Sequence, residues 1–256
     1  MNLYEDYFYN YATLCARNAA AVVCPALFAD LQPTSVVDIG CGRGAWLAEW
    51  QRLGAHVQGL DFGVISPEIL HIPENAFEAV DLAEGFSLKR RYDLAQCLEV
   101  AEHLPADRAR GLIASLAEAA DVILFSAAPP GQGGENHVNE QPYEYWRDLW
   151  SEQGFVMFDP IRPRIISNRR LAPWYRFNIF IFANAAGVGR LPAQYGRQVI
   201  DPTDNVPDLA PLSYRLRRAV VRRIPVATQT WLAKQMARGS VAAFSRSGIS
   251  VSSSAR

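Results

Sequence analysis

A chain of 256 residues, half of them apolar and with a formal net charge of −1, is long enough to bury one good core, and its charge alone indicates no nucleic-acid partner. The four cysteines, Cys15, Cys24, Cys41 and Cys97, form no CxxC pair and no zinc-like spacing, so reduced thiols in a cytosolic protein are expected. The run AAAVVCPALFA from Ala19 is too short to span a bilayer and its flank MNLYEDYFYNY is acidic and aromatic, so neither a transmembrane helix nor a secretion signal is expected.

In chain order, residues 1–33 read as a helical segment closed by Pro33. Over 34–185, strand-like runs alternate with helical ones: SVVDIG, then the helix-like GAWLAEWQRLG, then HVQGLD, FEAVDL and RYDLAQCLEV. The helix PADRARGLIASLAEAA and the strand DVILFSAA follow. Strands separated by helices require parallel pairing with right-handed crossovers, which makes this an α/β domain with a doubly wound, seven-stranded sheet. The last pair, GFVMFDPI and RFNIFIFAN, has no helix-length segment between its members, so one antiparallel strand is expected near the end. Residues 186–211, rich in Pro, Gly and Asp, read as a linker, and 212–256 as a basic C-terminal tail without Asp or Glu.

The stretch SVVDIGCGRGAWL places Gly40, Gly42 and Gly44 in a bend at the end of the first strand, where open α/β sheets bind their ligands. GCGRGA also fits the looser dinucleotide fingerprint, with Asp61 about twenty residues on. Asp38 discriminates between ligands: a carboxylate beside the bend repels a pyrophosphate but can hold the ammonium group of an amino-acid moiety, directly or through water. A nicotinamide-dependent oxidoreductase or epimerase is the competing reading, and a fold that binds without turning over is a third.

Taken with Asp81 in AVDLAE and the run YDLAQCLEVAEHL, the motif order resembles that of the class I S-adenosylmethionine-dependent methyltransferases from about residue 34 to 183. The resemblance implies that Gly40, Gly42 and Gly44 face the methionine end, that Asp61 accepts hydrogen bonds from the ribose hydroxyls, and that Asp81 and Leu82 sit at the adenine. It also implies that Cys97 or Glu99 lines the methionine and substrate side.

Methyl transfer is an in-line displacement at a sulfonium, and a base is needed when the acceptor carries a proton. His137, in the Gly- and Pro-rich PPGQGGENHVNEQPYEYW, and His103 are the candidates, because a neutral imidazole is available at working pH. No metal is assigned, but a helical turn after Val100 would bring Glu99, Glu102 and His103 together. Similar Glu-x-x-Glu-His patterns bind a divalent ion such as Mg²⁺ in ubiquinone-pathway O-methyltransferases and in small-RNA 2′-O-methyltransferases, the latter with a further histidine that His137 would imitate. A small aromatic or quinol, or an RNA 2′-hydroxyl, is therefore the alternative acceptor; in metal-free relatives the same Glu-His pair only orders the next helix. Tyr143, Tyr145 and Trp146 could stack on an acceptor or staple the following helix to the sheet. The segments GGENHVNEQPYEYW and LAPWYRFNIFIFAN resemble those of bacterial methyltransferases of surface-polysaccharide and glycan synthesis, which implies a sugar hydroxyl as acceptor. The basic tail suggests a membrane surface or a glycosyltransferase as partner, hence a cytoplasmic protein peripheral to the inner membrane face.

Overall fold

The computed structural model describes residues 6–63 and 65–246, with side chains over 10–63 and 65–239. All five residues of β1 (Ser35–Ile39), β4 (Leu94–Leu98) and β5 (Val122–Ser126) are buried. Strands covered on both faces need continuous apolar runs, and these three form the centre of a seven-stranded sheet. The others are β2 (His56–Asp61), β3 (Phe77–Ala79), β6 (Val156–Phe158) and β7 (Phe180–Ala183), in the order β3-β2-β1-β4-β5-β7-β6. β7 runs antiparallel to both its neighbours, β5 and β6, while the pairs from β3 to β5 are parallel. The strand order reverses between β1 and β4, so the carboxyl ends of these two strands flank the crevice in which such sheets bind ligands.

α1 (Asp6–Leu31) and α2 (Ala45–Arg52) cover one face, and α3 (Ala109–Ala119) and α4 (Tyr143–Glu152) the other. Within α1, Asn10–Leu31 is 22 residues of mean hydropathy 1.5, long and apolar enough to cross a membrane and longer than the run visible in the sequence. Its Ala16, Ala19, Ala20, Val23, Cys24 and Leu27 are nevertheless buried in the core with Trp46, Leu47 and Trp50 of α2.

Two parts of the sequence reading are revised. The strand expected over FEAVDL stops at Ala79, because Asp81 instead accepts from Ala83 N at 2.9 Å and caps a short 3₁₀ turn, Leu82–Glu84. Between β6 and β7 the chain makes two brief helices, α5 (Arg162–Ile165) and α6 (Pro173–Asn178), so RFN of the expected last strand is helical and β7 begins at Phe180. Pro173 at the first position of α6 has the fixed φ that starts a helix.

After α7 (Ala185–Val188) the Pro- and Asp-rich stretch makes one bridge back to the sheet, Val199 to Phe158. The Arg-rich segment then folds as α8 (Leu212–Val221) and α9 (Val226–Arg246). α9 packs along α1 with Ala237 buried, and Tyr214 of α8 lies 5.5 Å from the Phe177 ring.

Candidate active site

The bend after β1 is fastened to β2 by Gly40 N and Cys41 N, which donate to Leu60 O at 2.7 and 3.1 Å. Gly40, Gly42 and Gly44 all have positive φ, at 81°, 53° and 79°. Their surroundings differ. A Cβ on Gly40 would lie 2.3 Å from Val100 Cγ2 and one on Gly44 2.9 Å from Ile72 Cγ1, whereas one on Gly42 would meet nothing within 4 Å. Gly40 and Gly44 let the chain pack; Gly42 borders open space that a ligand can enter.

Asp61, at the end of β2, accepts from Gly42 N on one carboxylate oxygen and from Phe62 N at 2.7 Å on the other. Burial raises its pKa, and these two N–H groups oppose the rise. Asp38 lies under the bend, 2% exposed. Burial pushes its pKa up to about 7, Gln96 on the adjacent strand lowers it, and Asp61 raises it. Gln96 is itself held by Trp50 Nε1 at 2.8 Å. Asp81 is exposed at its turn and Leu82 is buried beside it. Cys97 is buried on the α3–α4 side of β4, where burial and then Asp38, Glu102 and Asp61 hold its thiol well above the ordinary range.

At the end of β4, Glu99 is a non-glycine residue in the left-handed region, φ 58°. Such a backbone costs on the order of 1 to 3 kcal/mol and is held here by Glu99 N donating to Ser126 O at 3.0 Å and Ser126 Oγ at 3.1 Å. The Glu99 carboxylate accepts from Gln132 Nε2 at 2.7 Å and Asn178 Nδ2 at 3.2 Å. Asn178 also donates to Gln132 Oε1 at 2.8 Å and accepts from Tyr143 OH at 2.9 Å. Burial raises the pKa of Glu99, and these amides act against it. Tyr143 is spent in this network and Trp146 packs against Phe125, so both staple α4 to the sheet.

One turn further on, a 3₁₀ segment, Ala101–His103, turns Glu102 inward. Its main-chain oxygen accepts from Val138 N and Asn139 N at 2.9 and 3.0 Å, stitching the loop after β5 to this turn. Glu140 gathers the loop further: its carboxylate accepts from Gly131 N and Gly133 N, both at 2.7 Å, and lies 2.8 Å from His137 Nδ1. The rings of His103 and His137 meet edge-on at 4.8 Å. Among the described residues, Glu102, His103 and His137 each offer a ligand atom, all within 4.8 Å of one another. Three of the four residues that the sequence nominates for a divalent ion are thus brought together, and the fourth, Glu99, is committed to Gln132 and Asn178. Glu102 is fully buried, and no hydrogen bond of ordinary geometry reaches its carboxylate, its own N–H and that of Ala128 being the nearest donors. Burial pushes its pKa well up, Glu99 adding to the effect.

Burial, and then the neighbouring His137, drive the pKa of His103 down to about 3, so its imidazole stays neutral at working pH. Gln132, Glu140 and Asn178 carry no mark in the sequence as site residues. Only Glu140 leaves a trace, three residues after His137 in HVNE.

A family model described as a methyltransferase domain matches residues 7–158. The chain belongs to the methyltransferase-domain family. This methyltransferase is 36% identical over 77 residues to a ubiquinone biosynthesis O-methyltransferase of Proteus mirabilis (strain HI4320), covering 27% of this chain and 31% of that protein. It is 31% identical over 127 residues to the enzyme of the same name from Stutzerimonas stutzeri (strain A1501), covering 45% and 49%. The chain thus spans about a third to a half of the length of these curated relatives. Among solved structures it is similar to the magnesium protoporphyrin IX methyltransferase ChlM from Synechocystis PCC 6803 with bound S-adenosylmethionine, at TM-score 0.50 and 22% identity over 66% of this chain and 79% of that one. It is also similar to Streptomyces venezuelae DesVI, at TM-score 0.52 and 14% identity over 70% and 96%. The methyltransferase therefore has the class I fold of S-adenosylmethionine-dependent methyltransferases, and the nicotinamide alternative gives way to the family match.

Proposed function

We propose that this methyltransferase transfers the methyl group of S-adenosylmethionine to a hydroxyl oxygen of a sugar in a glycan or polysaccharide intermediate. The observation that carries this reading is that Glu102, His103 and His137 converge just past the strand end against which the glycine bend packs, Val100 being the contact of Gly40. Methyl donor and proton acceptor would then share one crevice. Gly42 gives the donor its approach, Asp61 faces the ribose, Asp38 lies toward the ammonium group, and Asp81 with Leu82 flanks the adenine. Oxygen as the acceptor atom is supported by the names of the curated relatives, which are O-methyltransferases. A sugar is supported by the resemblance of GGENHVNEQPYEYW and LAPWYRFNIFIFAN to segments of glycan-associated methyltransferases, and by Tyr143 and Trp146 being packed into the core rather than free to stack on an aromatic acceptor.

In the displacement the acceptor oxygen forms a bond to the methyl carbon as the carbon–sulfur bond breaks. The electron pair goes to sulfur, and the hydroxyl proton must leave. A sugar hydroxyl ionises far above neutrality, so a group at the site must stabilise its anion or accept its proton. The residues suit a divalent cation: a buried carboxylate that no hydrogen bond of ordinary geometry reaches, beside two imidazoles, one of them held neutral, is an oxygen and nitrogen donor set of the right charge. Bound there, such an ion supplies Lewis acidity to the acceptor oxygen. The 2.8 Å contact of His137 Nδ1 with Glu140 favours a second reading, in which Glu140 orients His137 and its other ring nitrogen accepts the proton directly.

The acceptor is tested by mass spectrometry of cellular glycans with and without the gene, and by release of S-adenosylhomocysteine when the purified chain meets the unmethylated glycan. Loss of one methyl substituent from a defined sugar position is expected. An unaltered glycan methylation pattern, with turnover only on a phenol or quinol, overturns the sugar assignment.

A further inference from the structure

The two C-terminal helices have inner faces that hold the loop after β5 and outer faces on which, among the described residues, large apolar and basic side chains are exposed. On α8, Arg217 Nη1 donates to Gln132 O at 2.9 Å, Arg218 pairs with Asp208, and Tyr214 packs on Phe177. On α9, Thr230 Oγ1 accepts from Asn136 N at 3.2 Å, and Lys234 lies 3.3 Å from Glu135. The helices are therefore fixed in rotation about their axes. Turned away from the loop, Leu212, Leu216 and Val220 recur every fourth residue along α8, each about 60% exposed. Trp231, Leu232 and Met236 are exposed on α9, and Arg215, Arg222 and Arg223 are exposed beside the α8 stripe. From Leu212 to Arg256 the sequence has nine Arg and Lys and no Asp or Glu.

We propose that the outer faces of α8 and α9 dock on an anionic lipid bilayer. Exposed apolar stripes of this kind mark an interaction surface. A helix lying in the plane of a membrane interface requires what these helices carry: an aliphatic stripe, a tryptophan at headgroup depth, and arginines without carboxylates to meet anionic headgroups. The aliphatic stripe with an exposed tryptophan favours a lipid interface over a folded protein partner, which would meet these arginines with carboxylates alone.

The test uses the full chain without cofactor, so its outcome is independent of the methyl-transfer reading. Vesicles of phosphatidylcholine alone and of phosphatidylcholine with phosphatidylglycerol are sedimented with the protein at low and raised salt. Binding is expected only with phosphatidylglycerol and should weaken as salt rises. Arg222→Ala with Arg223→Ala should weaken it roughly 25-fold, about fivefold per arginine. Leu216→Gln with Val220→Gln should weaken it about tenfold or more, with the circular dichroism of the native chain retained. Trp231→Gln with Met236→Gln tests the other helix independently. No binding to either vesicle, or binding that none of these substitutions changes, overturns the proposal. So does a dimer in sedimentation velocity that Leu216→Gln with Val220→Gln dissolves, because the face would then belong to a second copy.

Discussion

A Cβ on Gly42 would meet nothing within 4 Å, yet Gly42 N is tied to the Asp61 carboxylate. Donor affinity is therefore expected to rest on two separable features, open space and a hydrogen-bonding acid. Asp61→Ala removes the acceptor for the ribose hydroxyls and frees the bend, and should weaken S-adenosylmethionine binding by about 1 to 3 kcal/mol in calorimetry. Gly42→Val puts bulk in the open space at a left-handed φ and should be worse; native affinity in either variant would refute the donor assignment. Asp38 makes a prediction about pH. Its pKa in the folded chain is about 7 against an ordinary 3.8, so between these values the folded chain keeps a proton that the unfolded chain releases, and stability is lost as pH rises through that window. Asp38→Asn lacks this loss. In denaturant titrations without ligand, the stability of the variant relative to native should rise on the order of 1 kcal/mol per pH unit between about pH 4 and 7, then level off. His103, whose lowered pKa has the opposite effect on the slope, is present in both proteins and cancels in the difference. A flat difference across the window would mean that Asp38 is not protonated in the fold.

Among the elements, the loop after β5 is held by parts far away in the chain: Glu102 O from the turn after β4, and Thr230 and Lys234 from α9. Replacing Thr230 with Val and Lys234 with Ala should speed amide hydrogen exchange over residues 131–138 while the amides of β1 and β4 stay protected. Unaltered exchange in the loop would show that α9 does not restrain it. This dependence also explains what the sequence could not disclose. β1, β4 and β5 are continuous apolar runs bounded by turn residues, so their burial is legible in the chain itself. α6 is fixed by its neighbours and no local period announces it, and β3, legible as the start of FEAVDL, is cut to three residues by the Asp81 turn. In the same way the glycines, Asp61 and the Glu102–His103 pair are local motifs, readable in order. Gln132 and Asn178, 46 residues apart, meet only because β5 and β7 are adjacent in the sheet. Nor do nine basic residues scattered over 212–256 say that one face of each helix will be used internally; that follows from the loop it covers.

For the molecule as a whole, a ligand that binds the folded chain and not the unfolded one raises the thermal midpoint by mass action, which turns the two proposed sites into two separate thermal shifts. At a hundredfold excess over its dissociation constant a ligand adds about 2.7 kcal/mol, which for a chain of this size is about 5 to 10 °C. S-adenosylhomocysteine should produce a shift that Asp61→Ala lowers and Glu102→Gln leaves intact, because Glu102 lies two residues past Val100, the contact of Gly40, and its main-chain oxygen holds the loop after β5 instead. Mg²⁺ or Mn²⁺ added after chelation should produce a second shift with the converse dependence: kept in Asp61→Ala and lost in Glu102→Gln, which removes the group that can ionise to bind a cation while preserving shape. If divalent ions shift neither protein and chelator leaves turnover unchanged, the cluster holds no cation, and the His137–Glu140 pair alone must accept the proton of the acceptor. In that case Glu140→Gln should lower turnover by about a hundredfold or more with donor affinity unchanged, because His137 would lose the carboxylate that orients its ring.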